Sequence, residues 1–353
     1  MNERLRTLRA KMQGANIQGM IISNPINIKY FTGIDAEGVF LITRKENVYI
    51  TDGRYIEYVS NTLTPFDEIV VNDIKDVSLE DYENFFLFCE SVGFEEKYVT
   101  YHDYKEYMHR YKINSLVEAE ELIEDLRLVK DDEEIRSIKE ACEITDKCFE
   151  MLKEYIKPGM TEKQIARRID NFYYAHAEGS SFDTIVASGE NSSMPHAVPG
   201  NRKIQEQDII LIDMGCKVNG YCSDMTRIIF VGEPTDEQKR IYEIVLKEQQ
   251  RVLNELRDGA NIKTINKVLL ANFESNGYEL IHALGHGVGL EIHEKPNVSI
   301  KNDTNLKENM VITDEPGIYI PGYFGVRIED TVLITKQGCI ELTKTSKEIT
   351  KIY

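Results

Sequence analysis

No stretch of the sequence stays apolar for the roughly 20 residues a bilayer span requires, no C-x-x-C pair occurs, and there is no low-complexity tract. The first absence excludes a membrane span. The second, with six cysteines scattered over 353 residues, excludes a dense disulfide framework and fits reduced thiols in a cytoplasmic protein; only Cys216 and Cys222 flank a turn closely enough to suggest facing each other. The third leaves an ordinary globular chain. Basic residues are also short, with 42 Lys+Arg against 60 Asp+Glu and a net charge of −18, so nucleic acid and anionic membrane surfaces are poor partners. The segment MNERLRTLRAKMQGANIQGMIISNP has charges at helical spacing and no apolar core of a secretory leader, which adds to the cytoplasmic expectation. Without a G-x-S-x-G elbow the chain offers no serine-hydrolase nucleophile.

A chain of 353 residues suits two domains. Leu5, Leu8 and Met12 recur at helical intervals, and GMIIS and VFLIT read as strands, opening an α/β domain over residues 1–125. Charge density then jumps in EDLRLVKDDEEIRSIKE. This predicts the start of a long amphipathic helix with Ile135, Ile138, Cys142, Thr145, Cys148 and Leu152 on one face, and a second domain over residues 126–353. Thr161 with Gln164, and Thr235 with Gln238, are capping boxes that open further helices, and a shorter helix spans residues 262–275.

Two β-rich segments echo each other. DIILIDMG (208–215) aligns with MVITDEPG (310–317), setting Asp213 on Glu315 and Gly215 on Gly317. SDMTRIIFVG (223–232) aligns with IEDTVLITKQG (328–338), setting Asp224 on Glu329 and Thr226 on Thr331. Strands share composition, so two hairpins can agree by chance. Acidic residues at matched places in apolar strands argue instead for a duplicated half with a pseudo-twofold axis that gathers the carboxylates in one cleft.

A carboxylate ending the run IILI is costly to bury unless it meets a proton, a cation or several donors. The stretch HALGHGVGLEIHE (282–294) adds three histidines. Its glycines run G-x-G-x-G rather than G-x-G-x-x-G and GLEIHE continues as a strand, which rules out a phosphate loop; the spacing from His282 to His286 lacks the glutamate of a zincin helix. Carboxylates with one or two imidazoles and no thiolate suit a divalent ion such as manganese, cobalt, zinc or iron. Four carboxylates exceed the needs of one ion, so the economical reading is a pair about 3.5–4 Å apart that makes a bridging hydroxide and polarises a carbonyl.

The order IDMG, SDMTR, GHGVGLEIHE, TDEPGIYIPG and GVRIED resembles the proline-specific metallopeptidases of the pita-bread fold, the Xaa-Pro dipeptidases (prolidases) and Xaa-Pro aminopeptidases. PINIKYFTGI (25–34) and TDGRY (51–55) are similar to the N-terminal domain shared by prolidases and creatinases, and FDTIVASGENSSMPHAVPG (182–200) to the segment leading into the site. The resemblance implies an α/β (α+β) chain: a creatinase/prolidase-like domain, then a pita-bread catalytic domain with an internal repeat. It implies two divalent ions, manganese first, with Asp213 on one, His286 and Glu315 on the other, and Asp224 and Glu329 bridging. His196, His282 and His293 would line the substrate cleft, the glycines of 282–294 would admit a peptide backbone, and Arg327 and Tyr221 would support the ligands.

Glu315 would move a proton to the leaving proline nitrogen, and His293 and His282 would stabilise the oxyanion. The implied substrates are proline-containing dipeptides, the implied assembly a homodimer. An aminopeptidase acting on longer peptides is the nearest alternative; a metal-free creatinase-like amidinohydrolase and a non-catalytic peptide-binding module are more distant. Two positions depart from the family pattern, Leu284 in place of threonine and Asp314 in place of an aliphatic residue.

Overall fold

Leu5, Leu8 and Met12 are all buried along α1 (Glu3–Gly14), as their spacing predicts. The computed structural model describes residues 3–64 and 69–353, and the chain divides into two units, Met1–Arg127 and Leu128–Tyr353.

In the first unit GMII forms β1 (Gly19–Ile22), with all four residues buried, and VFLIT forms β2 (Val39–Thr43). Between them α2 (Pro25–Thr32) starts on Asn24, whose side chain accepts the N–H of Ile26, with Pro25 at the position where a missing N–H costs nothing. The chain continues through β3 (Asn47–Thr51), α3 (Ile56–Thr62), β4 (Val70–Asp73), α4 (Leu79–Phe85), β5 (Val92–Phe94), α5 (Tyr101–Arg110), β6 (Leu116–Glu118) and α6 (Glu120–Arg127). The strands make one mixed sheet in the order β4-β3-β2-β1-β5-β6.

The second unit opens on α7 (Asp132–Tyr155) and α8 (Glu162–His176). The long helix expected to start within residues 125–134 is α7, and α6 ends separately before it at Arg127. Asp131 accepts the N–H groups of Glu133 and Glu134 and completes a capping box, so the backbone restarts there. Ile135 is only half-buried, and Glu134, Ser137 and Ala141 share the inner face instead. After α8 come β7 (Ile185–Ser188), β8 (Ile209–Met214), β9 (Lys217–Val218), β10 (Tyr221–Cys222) and β11 (Met225–Val231). Then follow α9 (Asp236–Glu255), α10 (Ile262–Ser275), β12 (Gly285–Gly287), β13 (Glu294–Val298), β14 (Val311–Asp314), β15 (Gly317–Ile320), β16 (Phe324–Arg327), β17 (Asp330–Ile334), β18 (Cys339–Glu341) and β19 (Thr350–Ile352). Both capping boxes form, Thr161 with Gln164 and Thr235 with Gln238.

The duplication reaches further back than the hairpins. Gly159 and Gly259 both take positive φ, of 90° and 80°, a conformation that favours glycine. Their N–H groups donate to Ile204 O at 2.8 Å and Leu306 O at 2.9 Å. Thr161 and Asn261 cap α8 and α10, and each also bridges to a later strand-like residue, Lys203 and Asn305. Each half therefore carries two helices, a strand beside the hairpin and an antiparallel hairpin, in sheets ordered β19-β11-β8-β7 and β13-β12-β14-β17-β18.

The hairpins differ in one respect from the sequence alignment. Thr226 pairs with Asp213 in the first, but Thr331 pairs with Thr313, two residues before Glu315, in the second. An even slip preserves which face each side chain occupies, so the carboxylates still point the same way. Hairpin β8–β11 is buried on both faces: Ile209, Leu211, Ile228 and Phe230 share a core with α9 and α10, while Ile210, Ile212, Met214 and Ile229 share one with α7 and α8. That accounts for its unbroken apolar run.

Candidate metal centre

Strand ends of both halves deliver the acidic groups. Asp213 is the penultimate residue of β8 and Asp224 immediately precedes β11; Glu315 immediately follows β14 and Glu329 immediately precedes β17. His286 sits mid-strand in β12. Two threonines tie the halves together reciprocally. Thr226 Oγ1 donates to Glu329 Oε2 at 2.6 Å, while Thr331 Oγ1 accepts the Asp224 N–H at 3.2 Å and donates to its carbonyl at 2.8 Å.

One ligand atom each from Asp224, His286 and Glu329 lie within 4.8 Å of one another. His286 Nε2 is 3.5 Å from Asp224 Oδ2 and 3.5 Å from Glu315 Oε1. Its other nitrogen, Nδ1, is 3.1 Å from the Gly287 carbonyl, which assigns the proton there and leaves the Nε2 lone pair aimed at the carboxylates. Asp213 meets the group through Arg327, whose guanidinium donates to Asp213 Oδ2 at 2.6 Å and to Thr226 Oγ1 at 2.9 Å.

Asp224 and Glu329 are almost fully buried. Burial, followed by Asp213 and Glu315, pushes the Asp224 carboxyl well above the usual carboxylate range. Burial and then Asp224 do the same to Glu329, and burial raises Glu315. Asp213 Oδ1 and Asp224 Oδ1 are buried with no hydrogen-bond partner. Crowded acids with unused oxygens and one cationic neighbour are unfavourable by themselves and suit divalent cations, which bind carboxylate oxygen and neutral imidazole. The donor set therefore fits the ions expected from sequence.

The acids open into a cleft of about 1120 Å³ lined also by His196, His282, His293 and Arg327. His196 and His293 are exposed. His282 is partly buried with both ring nitrogens engaged: Nδ1 lies 2.7 Å from Ala283 O and Nε2 3.0 Å from Tyr319 Oη. Burial lowers its pKa to about 4, so at neutral pH it is an uncharged support. Tyr319 also accepts from Arg327 at 2.8 Å, linking Asp213, Arg327, Tyr319 and His282 in one chain. Sequence reasoning missed Tyr319, although it alternates with Ile318 and Ile320 on a strand, the pattern that sets one residue apart from its neighbours.

Four local expectations need correction. The Tyr221 hydroxyl, expected to support the ligands, donates to Glu134 Oε1 at 3.1 Å, at the first turn of α7. GLEIHE is not a continued strand, since residues 289–293 form bends before β13. The glycines of this stretch serve neighbouring strands rather than an incoming peptide. A Cβ on Gly285 would lie 2.1 Å from Thr313 O, and one on Gly287 2.1 Å from Lys295 O. Cys216 and Cys222 do not face each other either. Cys222 pairs with Lys217, Cys216 Sγ approaches Ala141 O and Cys222 Sγ approaches Leu290 O, and all six thiols are free.

Among the described residues no helix is long and apolar enough to cross a membrane. Residues 136–336 match the model of metallopeptidase family M24, and residues 4–129 that of the creatinase/prolidase N-terminal domain. The chain is 37% identical to the Xaa-Pro dipeptidase of Pyrococcus furiosus over 99% of its own length and 100% of that protein's. Among solved structures it resembles a Xaa-Pro dipeptidase from Bacillus anthracis, with TM-score 0.94 and 36% identity over 99% of each chain. It also resembles an X-Pro aminopeptidase from Thermotoga maritima, with TM-score 0.89 and 33% identity over 97% of this chain and 100% of the other. With its acids and imidazole gathered on paired strand ends and these matches spanning nearly its whole length, the chain belongs to metallopeptidase family M24, hydrolases that depend on divalent metal ions.

Proposed function

We propose that this protein hydrolyses the bond preceding proline in Xaa-Pro dipeptides, with two divalent ions, manganese first, held by Asp213, Asp224, His286, Glu315 and Glu329. The observation that carries the reading is the meeting of buried carboxylates with an imidazole whose Nε2 is 3.5 Å from both Asp224 and Glu315. The names of full-length relatives support the dipeptide as substrate. We also read the enzyme as a cytoplasmic homodimer; free thiols agree with a reducing compartment.

When bound, the ions supply Lewis acidity toward the scissile carbonyl and an acidified water near neutral pH. The chain's own residues do the rest. Glu315 takes up on its carboxylate the proton that the attacking water gives up and passes it to the proline nitrogen, which lacks an N–H and leaves as an amine only once protonated. Exposed His293 reaches toward the developing oxyanion and His196 toward the leaving residue. His282 holds Tyr319, which with Asp213 holds the Arg327 guanidinium in place.

The test is an assay of the manganese-loaded protein on a Xaa-Pro dipeptide beside a Xaa-Pro-Xaa tripeptide, together with Asp224→Asn and His286→Ala. Dipeptide turnover should predominate and both variants should lose at least about 10³-fold while remaining folded by circular dichroism. Near-normal turnover in either variant would refute the ligand assignment, and faster tripeptide cleavage would refute the dipeptidase assignment.

A further inference from the structure

His196 stands on the segment 188–200, and both ends of that segment are fastened to one carboxylate. Glu162, the first residue of α8, is fully buried. Its Oε1 accepts the Ser188 N–H at 2.7 Å, the Ser188 hydroxyl at 2.7 Å and the Asn191 amide at 3.0 Å. Its Oε2 accepts the Gly200 N–H at 3.1 Å and the Asn191 amide at 3.2 Å. Midway, Ser192 Oγ accepts the Gly325 N–H at 3.0 Å, and Arg327 donates to Pro195 O at 3.3 Å, one residue before His196.

The fold does not require an acid at this place. One repeat later the first residue of α10 is Ile262, fully buried in an apolar core. An apolar residue is the less costly choice in a buried helix start, since a carboxylate must recover its lost hydration through donors. Only the half that carries His196 has the acid. We propose that Glu162 is a positioning residue for His196, fixing the loop so that the imidazole is presented to the substrate; this rests on the peptidase reading given above. Neither Glu162 nor Asn191 lines the cleft, so any effect they have on turnover must act through the loop.

A double-mutant cycle on the manganese-loaded full chain tests this with a Xaa-Pro dipeptide. Glu162→Ala should lower kcat/KM by about 10²-fold, the scale of a misplacement near 1 Å. Asn191→Ala, a milder change that removes one donor, should lower it about fivefold while the protein stays folded by circular dichroism, which keeps the test valid if Glu162→Ala fails to fold. In a His196→Ala background either change should have less than about twofold further effect, because coupled residues are non-additive. Losses that multiply, or a His196→Ala variant with wild-type kcat/KM, would overturn the inference alone. A wild type with no activity on any Xaa-Pro peptide would overturn the peptidase reading and this inference with it.

Discussion

The two halves of the second unit agree where backbone or site geometry is set and diverge where charge is placed between them. Gly159 and Gly259, Thr161 and Asn261, Ile165 and Ile265, and Tyr173 and Phe273 stand in register through the helices. Asp213 with Glu315, Asp224 with Glu329 and Thr226 with Thr331 continue the correspondence into the hairpins. Divergent pairs in the hairpins include Ile212 with Asp314, Met225 with Asp330 and Arg227 with Val332. Arg227 in the first half donates to Asp330 Oδ1 in the second at 2.6 Å, with both residues buried. The duplicated scaffold supplies the acids twice, and unique charges then lock the copies against one another.

Arg227→Met should break this comparison most severely. Burial raises the Asp330 carboxyl, but Arg227 and Lys347 outweigh it and hold it at about 2. Removing the guanidinium leaves Lys347 as the cation on that charge, beside the neutral donors Gln249 and Thr343, and frees Thr345 O and Glu329 O, which Arg227 also serves. Breaking a buried pair costs about 3–5 kcal/mol, so urea unfolding should show a loss in that range.

Asp314→Val, which makes the second half resemble Ile212 of the first, should act in the opposite direction. Both Asp314 oxygens are buried without a hydrogen-bond partner, and burial pushes the carboxyl well above its usual range. Replacing an unsatisfied buried polar group by an apolar one of similar shape should stabilise by about 1–3 kcal/mol; an equal or lower urea midpoint would show that the carboxylate has a role in the folded state. The smallest effects belong to the equivalent caps. Thr161→Ala and Asn261→Ala should each cost about 1 kcal/mol, and a difference above about 1 kcal/mol would mean that the helix starts are not energetically equivalent.

Most of the fold and the acidic positions were legible because each rests on a local regularity. Period-3.6 spacing marks α1, capping boxes mark the starts of α8 and α9, and apolar runs ending in an acid mark β8 and β14. The convergence of Asp224, Glu315 and Glu329 on His286 follows once the repeat is seen. What the sequence hid depends on contacts between distant segments. The slip of two residues between the hairpins changes no face and so leaves no trace in hydrophobic pattern. Tyr221 reads like a neighbour of Asp224, but its side chain points to α7. Glu162 reads as an ordinary acid in a helix's first turn, and nothing short of the folded loop reveals that its carboxylate accepts five hydrogen bonds.

Hairpin β8–β11 carries a consequence for redesign. Each of its apolar side chains belongs to one of two separate cores, so a change of volume at any of them disturbs either the α7–α8 layer or the α9–α10 layer, and well-packed interiors tolerate little of either. A protein engineer would find no neutral site along these strands from which to retune the acids at their ends. Altered substrate selectivity is better sought at exposed cleft residues such as Lys163, Arg167, Tyr174 and Val198, which answer to solvent and ligand rather than to either core.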